Sequence, residues 1–92
     1  MKIQVDYVAQ FKDAAGRASE VVGLSAGAGV RDLLRAVAAA HPERLAGLLL
    51  DESGTLRPSA LVFVGDEQAE WDEAPPLRDG VTVTLMAPLA GG

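Results

Sequence analysis

Two short segments near the ends of the chain alternate apolar and polar residues, and this alternation limits the available folds more than any other feature. Apolar residues take every second position: Ile3, Val5 and Tyr7 in Lys2–Ala9, and Val81, Val83 and Leu85 in Val81–Met86. A period of two indicates β-strands that turn one face toward a core. We therefore expect a sheet that contains both segments.

The stretch between them predicts one main helix in Val30–Ala40. Four apolar residues fall at helical spacing: Val30, Leu33, Leu34 and Val37. Pro42 is expected to end the helix, because the residue before a proline is driven out of helical geometry. Upstream, Ala18–Leu24 predicts a short second strand, close enough in sequence to the first to form a hairpin.

The remaining segments carry weaker signals. Phe11–Gly16 is interpreted as a connection with a turn at Gly16. Glu43–Leu50 fits either a second short helix or a turn with apolar anchors. The continuous apolar run within Leu56–Gly65 predicts a strand buried on both faces, or nearly so, and Gln68–Trp71 predicts a short edge strand.

The order of these elements favours an α+β fold. A hairpin followed by a helix and further strands is the layout of a β-grasp, or ubiquitin-like, fold. Its first and last strands lie side by side and parallel, because the helix lies between them in sequence. We predict a mixed sheet of four to five strands packed on one main helix, with residues 1–86 as the domain and 87–92 as an extended tail.

Charge and composition narrow the function classes. The 92 residues have a formal net charge of −5 and contain no cysteine. The acidic balance argues against nucleic acid and membranes as partners and suits a partner with a basic face. The lack of cysteine excludes disulfides, thiolate metal sites and cysteine nucleophiles. No apolar run approaches the ~20 residues that span a bilayer and no signal peptide leads the chain, so we expect a cytoplasmic location.

Most patterns that carry chemistry are incomplete. Gly27-Ala28-Gly29 precedes a helix but lacks the Lys-Ser/Thr pair and the third glycine of nucleotide-binding loops, so a structural loop is favoured. His41 is expected at the helix C-terminus, without the partners that catalysis requires. Five acids within residues 66–73 lack the spacing of a calcium loop. We interpret them as a solvated face and predict no metal site; Trp71 among them either caps the core or is an exposed anchor.

The C-terminal stretch is unusual because its last two residues have no side chains. Pro88 disfavours helix at the base, and Gly91 lets the backbone pass through a narrow channel. A six-residue extended segment from Ala87 reaches roughly 20 Å. Such a segment is long enough to place the C-terminus in the active site of another protein. The alternative interpretation is a frayed end without a function.

Two apolar residues are expected beside the root of this tail. With the first and last strands parallel and adjacent, Val8 and Met86 lie at the same end of the sheet and face away from the core. Apolar residues at an interface centre carry much of the binding energy, so this pair predicts a partner-docking surface. Isolated exposed apolar residues without a role are the alternative.

The most specific motif is the ending of the chain. Leu77-Arg78-Asp79-Gly80-Val81-Thr82-Val83 runs into Met86-Ala87-Pro88-Leu89-Ala90-Gly91-Gly92. Together with Ala9-Gln10 after the first strand and with Leu61–Glu67, this ending resembles the small sulfur carriers, a family that includes the molybdopterin synthase small subunit and the thiamine-pathway carrier. The family often has Asn where Gly65 stands and often ends in a Pro-Pro pair, so the pathway stays open.

The resemblance implies that the chain is a protein co-substrate rather than an enzyme, and that it binds no cofactor. An E1-like adenylating enzyme, using ATP and magnesium, joins the Gly92 carboxylate to AMP. Sulfur from a sulfurtransferase or sulfide donor then forms a thiocarboxylate, which a sulfur-accepting synthase consumes in molybdopterin, thiamine or cysteine synthesis. Gly91 and Ala90 belong to the tail that enters the partner, and Leu89 and Pro88 set its reach and direction.

Two other functions stay open at this point. One is a ubiquitin-like protein modifier, conjugated to lysines through Gly92. The other is a non-catalytic β-grasp binding module with an inert tail.

Overall fold

The computed structural model of the chain describes residues 1–73 and 75–87 and arranges them as one sheet with helices on one face. The strands are β1 (Lys2–Tyr7), β2 (Ser19–Gly23), β3 (Leu61–Val64), β4 (Glu67–Gln68) and β5 (Thr82–Met86). The helices are α1 (Gln10–Ala15), α2 (Val30–Ala40) and α3 (Leu45–Leu49).

The sheet has the strand order β2-β1-β5-β3-β4 and is mixed. β1 and β5 are parallel, with Val5 opposite Val83, whereas every other pair of neighbouring strands is antiparallel. The predicted hairpin, the parallel pairing of the first and last strands and the β-grasp class are all confirmed. Because β1 and β5 run in the same direction, both end at the same edge of the sheet, and that edge carries the candidate site.

The main helix has the bounds that the sequence predicts. Its four apolar residues at helical spacing are at most 2% exposed: Val30, Leu33, Leu34 and Val37. At its start, the Gly29 N–H donates a hydrogen bond to Asp32 Oδ2 at 2.9 Å, which satisfies a donor that the first helical turn leaves free. His41 follows as the C-cap residue, as predicted.

The stretch predicted as a connection between the first two strands is instead the short helix α1. It spans Gln10–Ala15, and the C-cap residue Gly16 has a φ of 75°, the left-handed conformation that glycine favours at a helix end. Phe11 is fully buried, and Ala14 and Ala15 pack partly buried against the core beside it. Their spacing is helical, but two of the three residues are alanines, so the apolar pattern over these six residues is weak.

The apolar run before Gly65 is buried more deeply on one face of the sheet than on the other, so only the prediction of full burial on both faces is wrong. Val62 is fully buried, whereas its neighbours Leu61 and Phe63 are only partly buried. The helices cover one face of the sheet, and the side chains of Leu61 and Phe63 point to the other face. The short edge strand exists but lies at Glu67–Gln68, earlier than predicted. The segment after Pro42 adopts the helical alternative, as α3.

Candidate functional site

The candidate site is the edge of the sheet at which β1 and β5 end together. The register of the two strands pairs Tyr7 with Leu85, and the next residue, Val8, donates its backbone N–H to the Leu85 carbonyl at 3.0 Å. Val8 and Met86 therefore end adjacent strands at the same level, as predicted. Both side chains are partly exposed.

Two further apolar side chains extend this pair across the sheet. β3 runs antiparallel to β5, with Leu61 opposite Met86 and Phe63 opposite Thr84. We name the four residues Val8, Leu61, Phe63 and Met86 the outer-face patch. All four are partly exposed, and none of them belongs to the core cluster or to the partly buried residues packed against it. The four side chains form a partly exposed apolar surface that is separate from the core.

Leu61 and Phe63 were not predicted as site residues. The signal was present, because they alternate with Val62 and Val64 and a strand turns alternate residues to opposite faces. A continuous apolar run hides this alternation, since every position in it is equally apolar. The antiparallel register with β5 decides which two residues share a face with Met86.

On β1 and β5, the outer face divides into two halves. Toward the start of β5 it is polar on these two strands, with Gln4 opposite Thr82 and Asp6 opposite Thr84, whereas Val21 of β2, opposite Gln4, is an exposed apolar residue. The Gln4 Nε2 donates a hydrogen bond to Asp6 Oδ1 at 2.9 Å, so these side chains satisfy one another at the surface. The apolar half is the one that adjoins the C-terminal end of β5.

The polypeptide leaves the sheet through Ala87, whose side chain is 7% exposed and belongs to the core. The point of departure is therefore anchored, and it lies one residue beyond Met86 of the outer-face patch. The predicted tail residues, Pro88, Leu89, Ala90, Gly91 and Gly92, lie outside the described residues.

A second polar cluster lies at the margin of the core, where β1, β2 and the end of α2 meet. The Tyr7 hydroxyl donates a short hydrogen bond to Glu20 Oε2, and His41 Nε2 lies 2.5 Å from the same oxygen. The Tyr7 and His41 rings meet edge to face, with centroids 5.9 Å apart. Arg17 Nη1 lies 3.6 Å from Glu20 Oε1.

The electrostatics of this cluster favour a structural role. Burial raises the pKa of Tyr7, and the hydrogen bond to the Glu20 carboxylate raises it further, so the phenol stays protonated as a donor. Burial by itself raises the pKa of Glu20, but the hydrogen bonds from Tyr7 and His41 and the nearby positive charges outweigh it, and the net pKa is lowered. The Tyr7–Glu20 hydrogen bond joins β1 to β2, and the contact of His41 with Glu20 links both strands to the end of α2.

Trp71 caps the core, which decides between the two interpretations of this residue. Its side chain is partly buried against the core cluster. The guanidinium carbon of Arg31 lies 4.7 Å from the ring centroid and that of Arg35 lies 5.8 Å from it, both within cation–π range. Arg31 Nε also donates a hydrogen bond to the Trp71 carbonyl at 2.8 Å. These contacts hold the acidic stretch against α2. The five carboxylates of the acidic stretch are exposed.

Within residues 1–73 and 75–87, no three His, Cys, Asp or Glu side chains are grouped closely enough to hold a metal ion. In the same part of the chain, none of the helices is both long and apolar enough to cross a bilayer.

Comparison with known proteins adds an independent observation. The family model described as "ThiS family" matches residues 5–92. The molybdopterin synthase sulfur carrier subunit of Chlamydomonas reinhardtii is 30% identical over 92 residues, which is the full length of both chains.

Two solved structures share the fold over nearly all of both chains. The crystal structure of the small archaeal modifier protein 1 of H. volcanii has a TM-score of 0.81 and 26% identity, covering 96% of this chain and 98% of that one. A putative molybdopterin converting factor, subunit 1, from Pyrococcus furiosus has a TM-score of 0.78 and 28% identity, covering 97% and 99%.

Proposed function

The chain belongs to the ThiS family, and on that premise we propose that it is a sulfur carrier whose Gly92 carboxylate is adenylated and then converted to a thiocarboxylate. The chain acts in this proposal as a protein co-substrate in the cytoplasm. The reacting groups other than its own carboxylate belong to its partners.

One observation carries the proposal: the anchored end of β5 adjoins the outer-face patch. Ala87 is buried and Met86 beside it is partly exposed, so the start of the C-terminal segment is set next to an apolar surface. Five residues follow Ala87, and an extended chain of five residues spans at most about 18 Å. A partner that docks on the patch is therefore within reach of the terminal carboxylate.

The first chemical step activates a poor electrophile. A carboxylate repels nucleophiles and has no good leaving group. In the proposed step, an oxygen of the Gly92 carboxylate attacks the α-phosphorus of ATP on an E1-like adenylating enzyme, and pyrophosphate leaves with its magnesium. The product is an acyl-adenylate, from which AMP departs readily.

The second step installs sulfur. Hydrosulfide attacks the acyl carbon, the bond to AMP breaks and a thiocarboxylate forms. A persulfide on a sulfurtransferase serves equally well, provided that a thiol then cleaves the resulting acyl disulfide. The thiocarboxylate is a nucleophile at neutral pH, and a synthase that accepts its sulfur returns the chain to the carboxylate.

The outer-face patch supplies the docking surface for the adenylating enzyme in this proposal. Leu61 and Phe63 join the sequence-predicted pair Val8 and Met86, and four adjacent apolar side chains are a better anchor than two. The exposed acids of the stretch after Asp66 and the net charge of −5 favour a partner with a basic rim around its apolar contact.

The relative from Chlamydomonas reinhardtii favours molybdopterin synthesis as the pathway, since that protein is a molybdopterin synthase sulfur carrier subunit. Thiamine and cysteine synthesis are the other pathways that a carrier of this kind supplies. Each differs from molybdopterin synthesis only in the synthase that receives the thiocarboxylate.

A second candidate function is protein modification through an isopeptide bond from Gly92 to lysines. The similarity to the small archaeal modifier protein 1 of H. volcanii favours it. Both functions begin with adenylation and differ in the nucleophile that displaces AMP. Peptides of other proteins that carry a Gly-Gly remnant on lysine would identify the modifier.

Exchange of labelled pyrophosphate into ATP tests the shared first step. The assay combines the full chain, the E1-like adenylating enzyme of the same organism and Mg-ATP. We expect exchange that depends on the chain and disappears when Gly91 and Gly92 are deleted, while the melting temperature of the shortened chain stays within a degree or two, because the deletion leaves the core intact. Equal exchange with the shortened chain would contradict the proposal.

A further inference from the structure

Ala9 has a backbone conformation that favours glycine. Its φ is 53° and its ψ is −119°, which are the angles of the first central residue of a type II′ turn. The turn is closed by the Phe11 N–H, which donates to the Val8 carbonyl at 3.1 Å. A side chain at this position clashes with the local backbone, and glycine normally occupies it because it has none.

At the other described positions with a positive φ, the chain uses glycine. In residues 1–73 and 75–87, the other residues with positive φ are all glycines: Gly16, Gly27, Gly54, Gly65 and Gly80. Ala9 is the exception in that part of the chain. Its side chain is exposed, so the methyl group does not fill the core and has no packing role that offsets the strain.

The surroundings of Ala9 hold the strained turn in place. Before it, Val8 is tied to β5 through the hydrogen bond to the Leu85 carbonyl. After it, Phe11 is fully buried and anchors α1. Neither side can relax without loss of sheet pairing or core packing. Strained residues persist where the neighbouring structure enforces them, and they are concentrated at functional sites.

The position of the turn relates it to the candidate site. Val8 belongs to the outer-face patch, and Ala9 is the next residue. The parallel register pairs Tyr7 with Leu85, so Ala9 and Ala87 each follow this pair by two residues at the same edge of the sheet. The exposed methyl group therefore lies at the edge from which the C-terminal segment leaves the domain.

We propose that Ala9 is a positioning residue for activation, whose methyl group contacts the adenylating enzyme and aligns the outgoing C-terminal segment. This inference rests on the proposed function. The stiff turn holds the methyl group and the adjacent Val8 in one orientation, whereas glycine would free the backbone at the edge of the docking surface.

Ala9→Gly removes both the backbone strain and the contact with the adenylating enzyme, and the two effects are measured separately. Removal of the strain raises the melting temperature by a few degrees, on the order of 5 °C. Loss of the contact raises the KM for the chain in pyrophosphate exchange about threefold to tenfold, with kcat unchanged because the terminal carboxylate is untouched. Ala9→Ser keeps the β-carbon and retains a KM near that of the wild type.

Ala39→Gly is the matched control, because Ala39 is an exposed alanine of α2, and glycine there lowers helix stability. We expect a lower melting temperature and an unchanged KM, which shows that KM does not follow stability. An unchanged KM in Ala9→Gly, or no gain in its stability, overturns this inference alone. A wild-type chain that supports no exchange overturns the proposed function as well.

Discussion

The two faces of the central strands contain similar apolar residues but make different contacts. On the inner face, Val62, Val83 and Leu85 are fully buried against the helices. On the outer face, Leu61 and Met86, each next in sequence to one of those residues, remain partly exposed with no packing against the core.

The contrast shows that apolar character alone does not identify the role of a strand residue. A residue whose contacts lie within the domain contributes to folding stability. In the proposed function, an apolar residue that lacks such contacts and lies beside three others of its kind contacts a second molecule. Substitutions on the two faces test whether their roles separate in this way.

Leu85→Ala and Met86→Ala form the sharpest pair, because the residues are adjacent in β5 and point to opposite faces. Leu85→Ala leaves a cavity in the core and is expected to lower the free energy of unfolding by about 2–5 kcal/mol. Met86→Ala is expected to change it by at most about 0.5 kcal/mol. Urea denaturation followed by circular dichroism measures both. Similar losses for the two variants would remove the distinction between the faces.

Met86→Asp tests the outer face for docking. A charge at the centre of the patch is expected to raise the KM for the adenylating enzyme at least tenfold, which corresponds to about 1.4 kcal/mol. The reason is that the new carboxylate would lose its water against an apolar surface of the enzyme. Thr82→Asp places the same charge on the polar half of the same face and serves as the control, with a change in KM of about twofold or less. Equal increases in KM for the two variants would show that the added net charge, rather than its position on the outer-face patch, weakens docking.

A substitution at Glu20 tests the contribution of the polar cluster at the margin of the core to stability. The pKa of Glu20 is lowered in the folded state, so its contribution to stability is present above its ordinary pKa of 4.5 and is lost as the pH falls through the folded value. Glu20→Gln is expected to cost about 1–2 kcal/mol at pH 7, through loss of the hydrogen bonds to a charged acceptor. The difference from wild type should shrink below pH 4.5. Thermal melts from pH 7 to pH 3 measure it, and a constant difference would contradict the assignment.

The smallest expected effect is that of Arg35→Ala. Arg35 lies 5.8 Å from the Trp71 ring centroid, and loss of this exposed cation–π contact is expected to cost about 0.5 kcal/mol. Arg31→Ala should cost more, because Arg31 also donates a hydrogen bond to the Trp71 carbonyl. Tryptophan fluorescence during urea unfolding measures both variants. The reverse order would show that the ring is held by other contacts.

The sequence predicts the parts of the fold that have a clear period. The two-residue period of β1 and β5 and the helical spacing within Val30–Ala40 are local patterns, and the structure confirms them. The parallel pairing follows from the helix between those strands. α1 was missed because Phe11 is its only strongly apolar inward residue, and Ala14 and Ala15, which pack beside it, add little to an apolar pattern.

The candidate site was only partly predictable. Val8 and Met86 could be placed together because both end strands whose pairing was inferred. Leu61 and Phe63 could not, since their face depends on the register between β3 and β5. The contact of His41 with Glu20 could not be predicted because the two residues are 21 positions apart in the sequence. The positive φ of Ala9 could not be predicted either, because alanine rarely adopts such a conformation.

The intact mass of the chain after reaction is the most direct test of the central claim. The full chain is incubated with the adenylating enzyme, Mg-ATP and sulfide, beside a reaction without ATP and one with the chain that lacks Gly91 and Gly92. We predict an ATP-dependent increase equal to the mass difference between sulfur and oxygen, in the full chain only. A mass that stays unchanged while the enzyme forms the acyl-adenylate would contradict the assignment of this chain as a sulfur carrier.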